Sequence, residues 1–297
     1  MQNHDAKEKS VPVLTSTAAR VWYSLMLFAI ALIVGAPAYM GLRSHTLAVA
    51  YRFGLPALLG VLAIATTRIE RLKPVRPVLL SLFGVSLGFG LAYVIGDWPL
   101  ERLGLSAATP HGAAVAKASE AIPMCAAIFL ATFLARRNLG TLSLRKGRLW
   151  LSLELGLLSA VPLLAFLTLV PGTGAEALLT VPAPTILSWL PWVVLFSMAN
   201  GFMEELWFRG SWFDTFREVV GAPAAMHVTS LVFSVMHVIV YRSEPGALVV
   251  LWPVFLYVGY ACAFIVRKTG SLWGAVLGHV LVDLMFVLVA FGSSKVS

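Results

Sequence analysis

Three short stretches in the last third of the chain place ionisable side chains inside apolar sequence: Glu204-Glu205-Leu206-Trp207-Phe208-Arg209, Phe233-Ser234-Val235-Met236-His237 and His279-Val280-Leu281-Val282-Asp283. Glu205 precedes Arg209 by four residues, the favourable order for an ion pair along a helix. Glu204 lies about 140° from Arg209 around a 3.6-residue helix and faces elsewhere. One carboxylate is thus neutralised, and the other is left available as a general base. His279 and Asp283 share a helix face, so the carboxylate can accept the imidazole N–H and set its tautomer. If the three stretches converge, Glu204, His237, His279 and Asp283 form a set suited to activating water and then stabilising an oxyanion. Plainer readings stand beside this one. Glu204 to Arg209, followed by Asp214, Arg217 and Glu218, also reads as a solvated helix end, and a histidine on an apolar helix is commonly a packing residue.

The elements that must position these groups are membrane helices. Of the 297 residues 59% are hydrophobic and 12% charged, against about 25% charged in ordinary soluble proteins, and the mean hydropathy is +0.86. A soluble enzyme, a disordered regulator and a secreted disulfide scaffold are excluded. So is a nucleic-acid binder, despite the net charge of +8, because Lys and Arg gather on the cytoplasmic side of membrane proteins. A spanning helix needs about 20 mostly apolar residues. Such windows fall at 21–42, 46–66, 77–96, 119–135, 149–170, 183–203, 221–241, 247–266 and 271–291, the fourth being weakest because it is short and opens with Glu120 and Pro123.

Basic residues cluster before the first window (Lys7, Lys9, Arg20) and after the second (Arg68, Arg71, Lys73, Arg76). They cluster again after the fourth (Arg136, Arg137, Arg145, Lys146, Arg148), the sixth (Arg209, Arg217) and the eighth (Arg267, Lys268). All of these fall on one side of the membrane, which predicts an all-α, polytopic bundle of nine spans with its N-terminus in the cytoplasm. Residues 24–38, with Ala36-Pro37-Ala38, also fit a cleaved signal segment; eight spans would then remain with the same charge parity. The chain divides into a cytoplasmic tail (1–20), N-terminal helices (21–180) and C-terminal helices bearing the ionisable stretches (181–297).

Lesser features have bland expectations. Cys125 and Cys262 are inert packing residues. Gly84 and Gly88 form a small-xxx-small pair for close helix packing. Residues 97–118 form the longest outer connection. Glu154 extends towards the basic 145–148 cluster, and His227 is a spare pocket candidate ten residues before His237. Trp150, Trp189, Trp192, Trp252 and Trp273 are interfacial anchors. One tension remains: the windows put Glu204 and His237 roughly 20 Å apart in depth at 1.5 Å per residue. Cooperation requires either that the Glu204 helix start near Met198 and run past Arg209 towards Arg217, or that the seventh span begin beyond Gly221.

Glu-Glu-x-x-x-Arg, then Phe-x-x-x-His, then His-x-x-x-Asp, in this order on successive apolar segments, resembles the CPBP family of CAAX-prenyl endoproteases, bacteriocin self-immunity proteins and related intramembrane proteases. The resemblance covers about residues 200–285. It implies a CAAX-protease-like helical core whose cavity opens to membrane and cytoplasm. In that core Glu204 and His237 activate water, His279 helps hold the oxyanion, and Glu205, Arg209 and Phe233 complete the motifs in supporting roles. Asp283 departs from the asparagine frequent at this position in the prenyl-protease branch. An ionised carboxylate accepts but does not donate, so Asp283 is protonated, orients His279 or ligates a metal. The expectation is a cofactor-free glutamate-type mechanism; if metal were required, zinc on Glu204, His237, His279 and Asp283 would be the arrangement. The expected function is endoproteolysis of a membrane-anchored protein or lipidated peptide near its C-terminus, in a bacterial inner membrane. A proton-coupled transporter and a non-catalytic immunity or scaffold protein are the alternatives.

Overall fold

A computed structural model describes residues 16–40, 42, 44–170, 175–240 and 245–293, with the side chains at 245–248 and 250 excepted. The tail expected at 1–20 therefore lies outside the described residues up to position 15. Among the described residues there is no strand, and nine helices are long and apolar enough to cross a membrane. In chain order they are α1 (Thr17–Tyr39), α2 (His45–Ala65), α3 (Arg76–Ile95), α4 (Pro110–Leu134), α5 (Leu149–Leu169), α6 (Ala183–Val220), α7 (Ala222–Val240), α8 (Pro245–Thr269) and α9 (Trp273–Ser293).

Local chemistry sets three of the starts. Ser16 and Ser44 accept hydrogen bonds from the amides of Ala19 and Leu47 and so cap α1 and α2, satisfying donors that a helix N-terminus leaves free. Thr109 caps α4 in the same way, with Pro110 in the first turn. This corrects the expected fourth span. The 97–118 connection shrinks to a short helix (Trp98–Leu103), which ends at left-handed Gly104, and a few further residues. The helix then absorbs both Lys117 and Glu120, which neutralise each other one turn apart at 2.6 Å.

The basic connections gather at one end of the bundle. There the Arg148 amide donates to the Thr269 carbonyl and that of Leu272 to Ser143, while Arg145 Nε donates to Gly270. Arg137 pairs with Glu218 at the same end. Small residues bring helices together along two seams. At Gly84 an added Cβ would lie 2.7 Å from Ala131 Cβ, so α3 and α4 nearly touch, as the small-xxx-small spacing predicts. Gly156 of α5 meets the backbone of Gly274 of α9, and the Gly274 amide donates to Ser152 Oγ at 2.9 Å. That second seam joins residues more than a hundred positions apart and has no sequence spacing to betray it.

The centre of the bundle is α6, which packs between α4 and α9. It is α-helical from Ala183 to Glu205, widens into a π-helix over Leu206–Phe213, and resumes as an α-helix from Asp214 to Val220. The π-helical part is wholly buried, with Trp207, Phe208 and Trp212 stacked or edge-on to one another and to Phe216 and Phe233. The charged stretch is therefore interior rather than a solvated end: Glu204, Glu205, Arg209 and Asp214 are all buried.

The depth tension resolves at Gly221. Its φ of +86°, readily adopted only by glycine, turns α6 directly into α7. Glu204 stands seventeen residues before this turn and His237 sixteen after it, so an antiparallel hairpin sets them at the same depth. The continuation of the Glu204 helix past Arg209 is what matters. It begins at Ala183 rather than near Met198, and α7 begins where expected.

Candidate functional site

Phe196, Asn200 and Glu204 follow one another at i, i+4 and i+8 on α6 and so share a face. That face lines a cavity of about 250 Å³, into which α7 presents Phe233, Met236 and His237, α9 presents His279 and Asp283, and α4 presents Lys117. Tyr39 of α1 closes one side, and Val254, Phe255 and Val258 of α8 add apolar wall. The four residues expected to cooperate therefore surround one hollow.

Both histidines are held through Nδ1. His237 Nδ1 lies 2.9 Å from the Phe233 carbonyl oxygen and His279 Nδ1 lies 2.8 Å from Glu205 Oε1. Those oxygens can only accept, so Nδ1 carries the hydrogen in each ring and Nε2 is the atom turned to the cavity. Glu204 Oε2 is 3.8 Å from His237 Nε2 and 3.7 Å from His279 Nε2, and it has no hydrogen-bond partner within the protein.

The tautomer of His279 is thus set by Glu205 and not, as expected from spacing, by Asp283. Asp283 Oδ1 stands 3.7 Å from His279 Nε2, beyond hydrogen-bonding range. Its Oδ2 instead accepts from Asn200 Nδ2 at 2.9 Å.

Behind the cavity, Arg209 donates through one terminal nitrogen to Glu205 Oε1 at 2.7 Å and through the other to the Gly259 carbonyl at 2.8 Å. Its guanidinium sits 4.7 Å over the Phe233 ring. Arg209, Glu205 and His279 consequently form one buried chain, which locks the imidazole plane. Phe233 completes the enclosure, with its ring centroid 4.3 Å from that of His237 and 5.7 Å from that of His279.

Sequence reasoning missed Asn200 and the charged pair of α4. Lys117 sits beside the Phe196 ring, and its partner Glu120 accepts from the Tyr39 hydroxyl. A signal existed for Lys117, an ionisable residue at membrane depth, but the fourth window opened two residues too late to include it. Asn200 had no such signal, being an uncharged polar residue within an apolar run.

Other candidates fall elsewhere. His227 bonds to the Tyr260 hydroxyl on an exposed face, and Glu154 is exposed. Cys125 and Cys262 are free thiols, the latter buried against the Ala275 carbonyl. Trp150, Trp192, Trp252 and Trp273 are exposed, whereas Trp189 is buried against Phe291 and Leu288, a core residue rather than an anchor.

Four-coordinate zinc with bonds of about 2.0–2.2 Å sets its N and O ligands roughly 3.4 Å apart; here Glu204 Oε2 stands 3.8 Å from His237 Nε2 and 3.7 Å from His279 Nε2, and Asp283 Oδ1 stands 3.7 Å from His279 Nε2. Among the described residues no three His, Cys, Asp or Glu side chains are grouped to hold a metal ion.

Residues 186–285 match the family model described as Type II CAAX prenyl endopeptidase Rce1-like. No curated protein and no solved structure matches the chain. The matched stretch is about a third of the chain and includes every residue of the three ionisable motifs. With nine apolar helices among the described residues, the chain is an integral multi-pass membrane protein whose residues 186–285 are similar to an Rce1-like prenyl endopeptidase domain, consistent with a CPBP intramembrane protease.

Proposed function

We propose that the protein is an intramembrane endopeptidase of the glutamate type, which cleaves a membrane-anchored or lipidated protein near its C-terminus. A single observation carries this reading: Glu204 Oε2 faces the inward-turned Nε2 atoms of both histidines across gaps of 3.7–3.8 Å. A separation of that size accommodates a shared water in a polar site.

In the proposed step Glu204 takes a proton from this water while the lone pair of His237 Nε2 accepts its other O–H. The oxygen adds to the scissile carbonyl carbon, and the displaced π electrons move to the carbonyl oxygen. With a proton on Nε2, His279 donates to that oxygen, and the charge of its ring is balanced by Glu205 behind it. Collapse breaks the C–N bond, and the leaving amine takes the proton from Glu204. No step requires a metal. The apolar walls favour a lipid-bearing or membrane-embedded substrate, and the basic end of the bundle is placed in the cytoplasm, of a bacterial inner membrane on this reading.

The test is cleavage of a farnesylated peptide with a C-terminal CAAX sequence by the purified full chain in vesicles. Glu204→Gln is expected to reduce kcat by about 10²–10⁴-fold, the range for a positioned acid–base group, at unchanged thermal stability. Cleavage by this variant at the wild-type rate would overturn the assignment. Loss of wild-type cleavage in a zinc chelator, restored by added zinc, would overturn the metal-free mechanism.

A further inference from the structure

The proposed chemistry places a negative oxygen in a cavity that already holds Glu204 and Asp283, and Asp283 as a carboxylate offers that oxygen no hydrogen. Of the other donors on the cavity wall, the Tyr39 hydroxyl gives its one hydrogen to Glu120, and Lys117 Nζ gives one of its three to the same carboxylate, which matches its charge. Asn200 is different. Its Nδ2 donates one hydrogen to Asp283 Oδ2 at 2.9 Å. Because a carboxylate only accepts, this contact also decides which way round the amide sits. The second hydrogen on the same nitrogen remains, on a side chain that lines the cavity one helical turn from Glu204.

We infer that Asn200 is a further catalytic residue, whose amide N–H donates to the substrate's carbonyl oxygen beside His279, with Asp283 as the acceptor that holds the amide in place. This rests on the endopeptidase reading above. A neutral amide suits the position, since it stabilises developing charge without adding a cation or exchanging a proton; no bond to it forms or breaks. The carboxylate and the donor thus come from two helices, Asp283 from α9 and Asn200 from α6.

The test uses the full chain in vesicles with the same farnesylated peptide. Asn200→Asp removes the donor at constant size and is expected to lower kcat about 10²–10³-fold, the loss typical of one oxyanion donor, with KM within threefold. Affinity for a phosphinic analogue of the peptide, whose P–O⁻ stands in for the oxyanion, falls by the same factor as kcat/KM. Affinity of the Glu204→Gln background for intact peptide does not move, which a merely structural role of Asn200 would not produce. The exchange variant Asn200→Asp with Asp283→Asn returns an amide from the opposite helix and is expected to recover kcat to within tenfold of wild type. It decides the matter should the single variant fail to fold.

Wild-type kcat in Asn200→Asp, or a 10²-fold deficit in a folded exchange variant, would overturn the assignment. The Trp207 indole N–H also belongs to a cavity-lining residue and has no partner within the protein. A loss of kcat in Trp207→Phe with none in Asn200→Asp would give the role to it instead. Absence of cleavage by the wild-type chain would remove the endopeptidase reading and this one together, whereas the other failures remove this one alone.

Discussion

Arg209→Met isolates what the buried ion chain contributes. Arg209 and Glu205 have side chains with no solvent exposure, and they meet at 2.7 Å. Deleting the guanidinium leaves the Glu205 carboxylate buried with His279 as its remaining hydrogen-bonded partner and takes a donor from the Gly259 carbonyl. Removing one member of such a pair costs about 3–5 kcal/mol. Replacing both charges by apolar groups of similar volume is far milder by the same reasoning, because neither charge is then stranded. Glu205→Leu combined with Arg209→Met is expected to be more stable than Arg209→Met alone, although it still forfeits roughly 1–3 kcal/mol for the unmatched His279 and Gly259 groups. Reversible unfolding in mixed micelles measures this, followed by labelling of the buried Cys262 thiol in a Cys125→Ser background. The expected coupling between the two positions is at least about 2 kcal/mol. A single variant within about 1 kcal/mol of wild type, or a double variant whose cost equals the sum of the singles, would refute the argument that the pair is buried and mutually neutralised.

Two packing predictions use the same assay. Gly84→Ala places a methyl 2.7 Å from Ala131 Cβ, so α3 and α4 must separate; overpacking of this kind costs about 1–3 kcal/mol, and an unchanged unfolding free energy would contradict the close seam. Trp189 and Trp150 look alike in sequence but are 8% and 75% exposed. Trp189→Ala is expected to cost about 3–5 kcal/mol and Trp150→Ala less than about 0.5 kcal/mol, and equal costs would reject the distinction.

Much of the molecule was legible in one dimension because its causes are local. Apolar runs of spanning length, basic loops at alternate connections and the i, i+4 order of Glu205 and Arg209 each act within a few turns of chain, so nine spans and the ion pair follow from reading along it. The three motifs could be singled out for the same reason: a charge inside an apolar run is conspicuous without knowing its neighbours.

What the tertiary structure alone decided depends on which helices lie side by side. The Gly221 turn sets Glu204 and His237 at one depth, a consequence of both helix lengths together. Glu205 rather than Asp283 holds His279 because α6 and α9 pack closely there, with an added Cβ at Gly201 meeting Val280 at 3.0 Å; the i, i+4 spacing on α9 alone pointed to the wrong acceptor. Asn200 and Lys117 enter the cavity from different helices; the i, i+3 spacing of Lys117 and Glu120 names that pair, whereas no sequence pattern names Asp283 as the partner of Asn200. Periodicity orders residues around one helix axis, but the polar contacts of a membrane interior are made between axes, where rotation and depth are set by packing rather than by spacing along the chain.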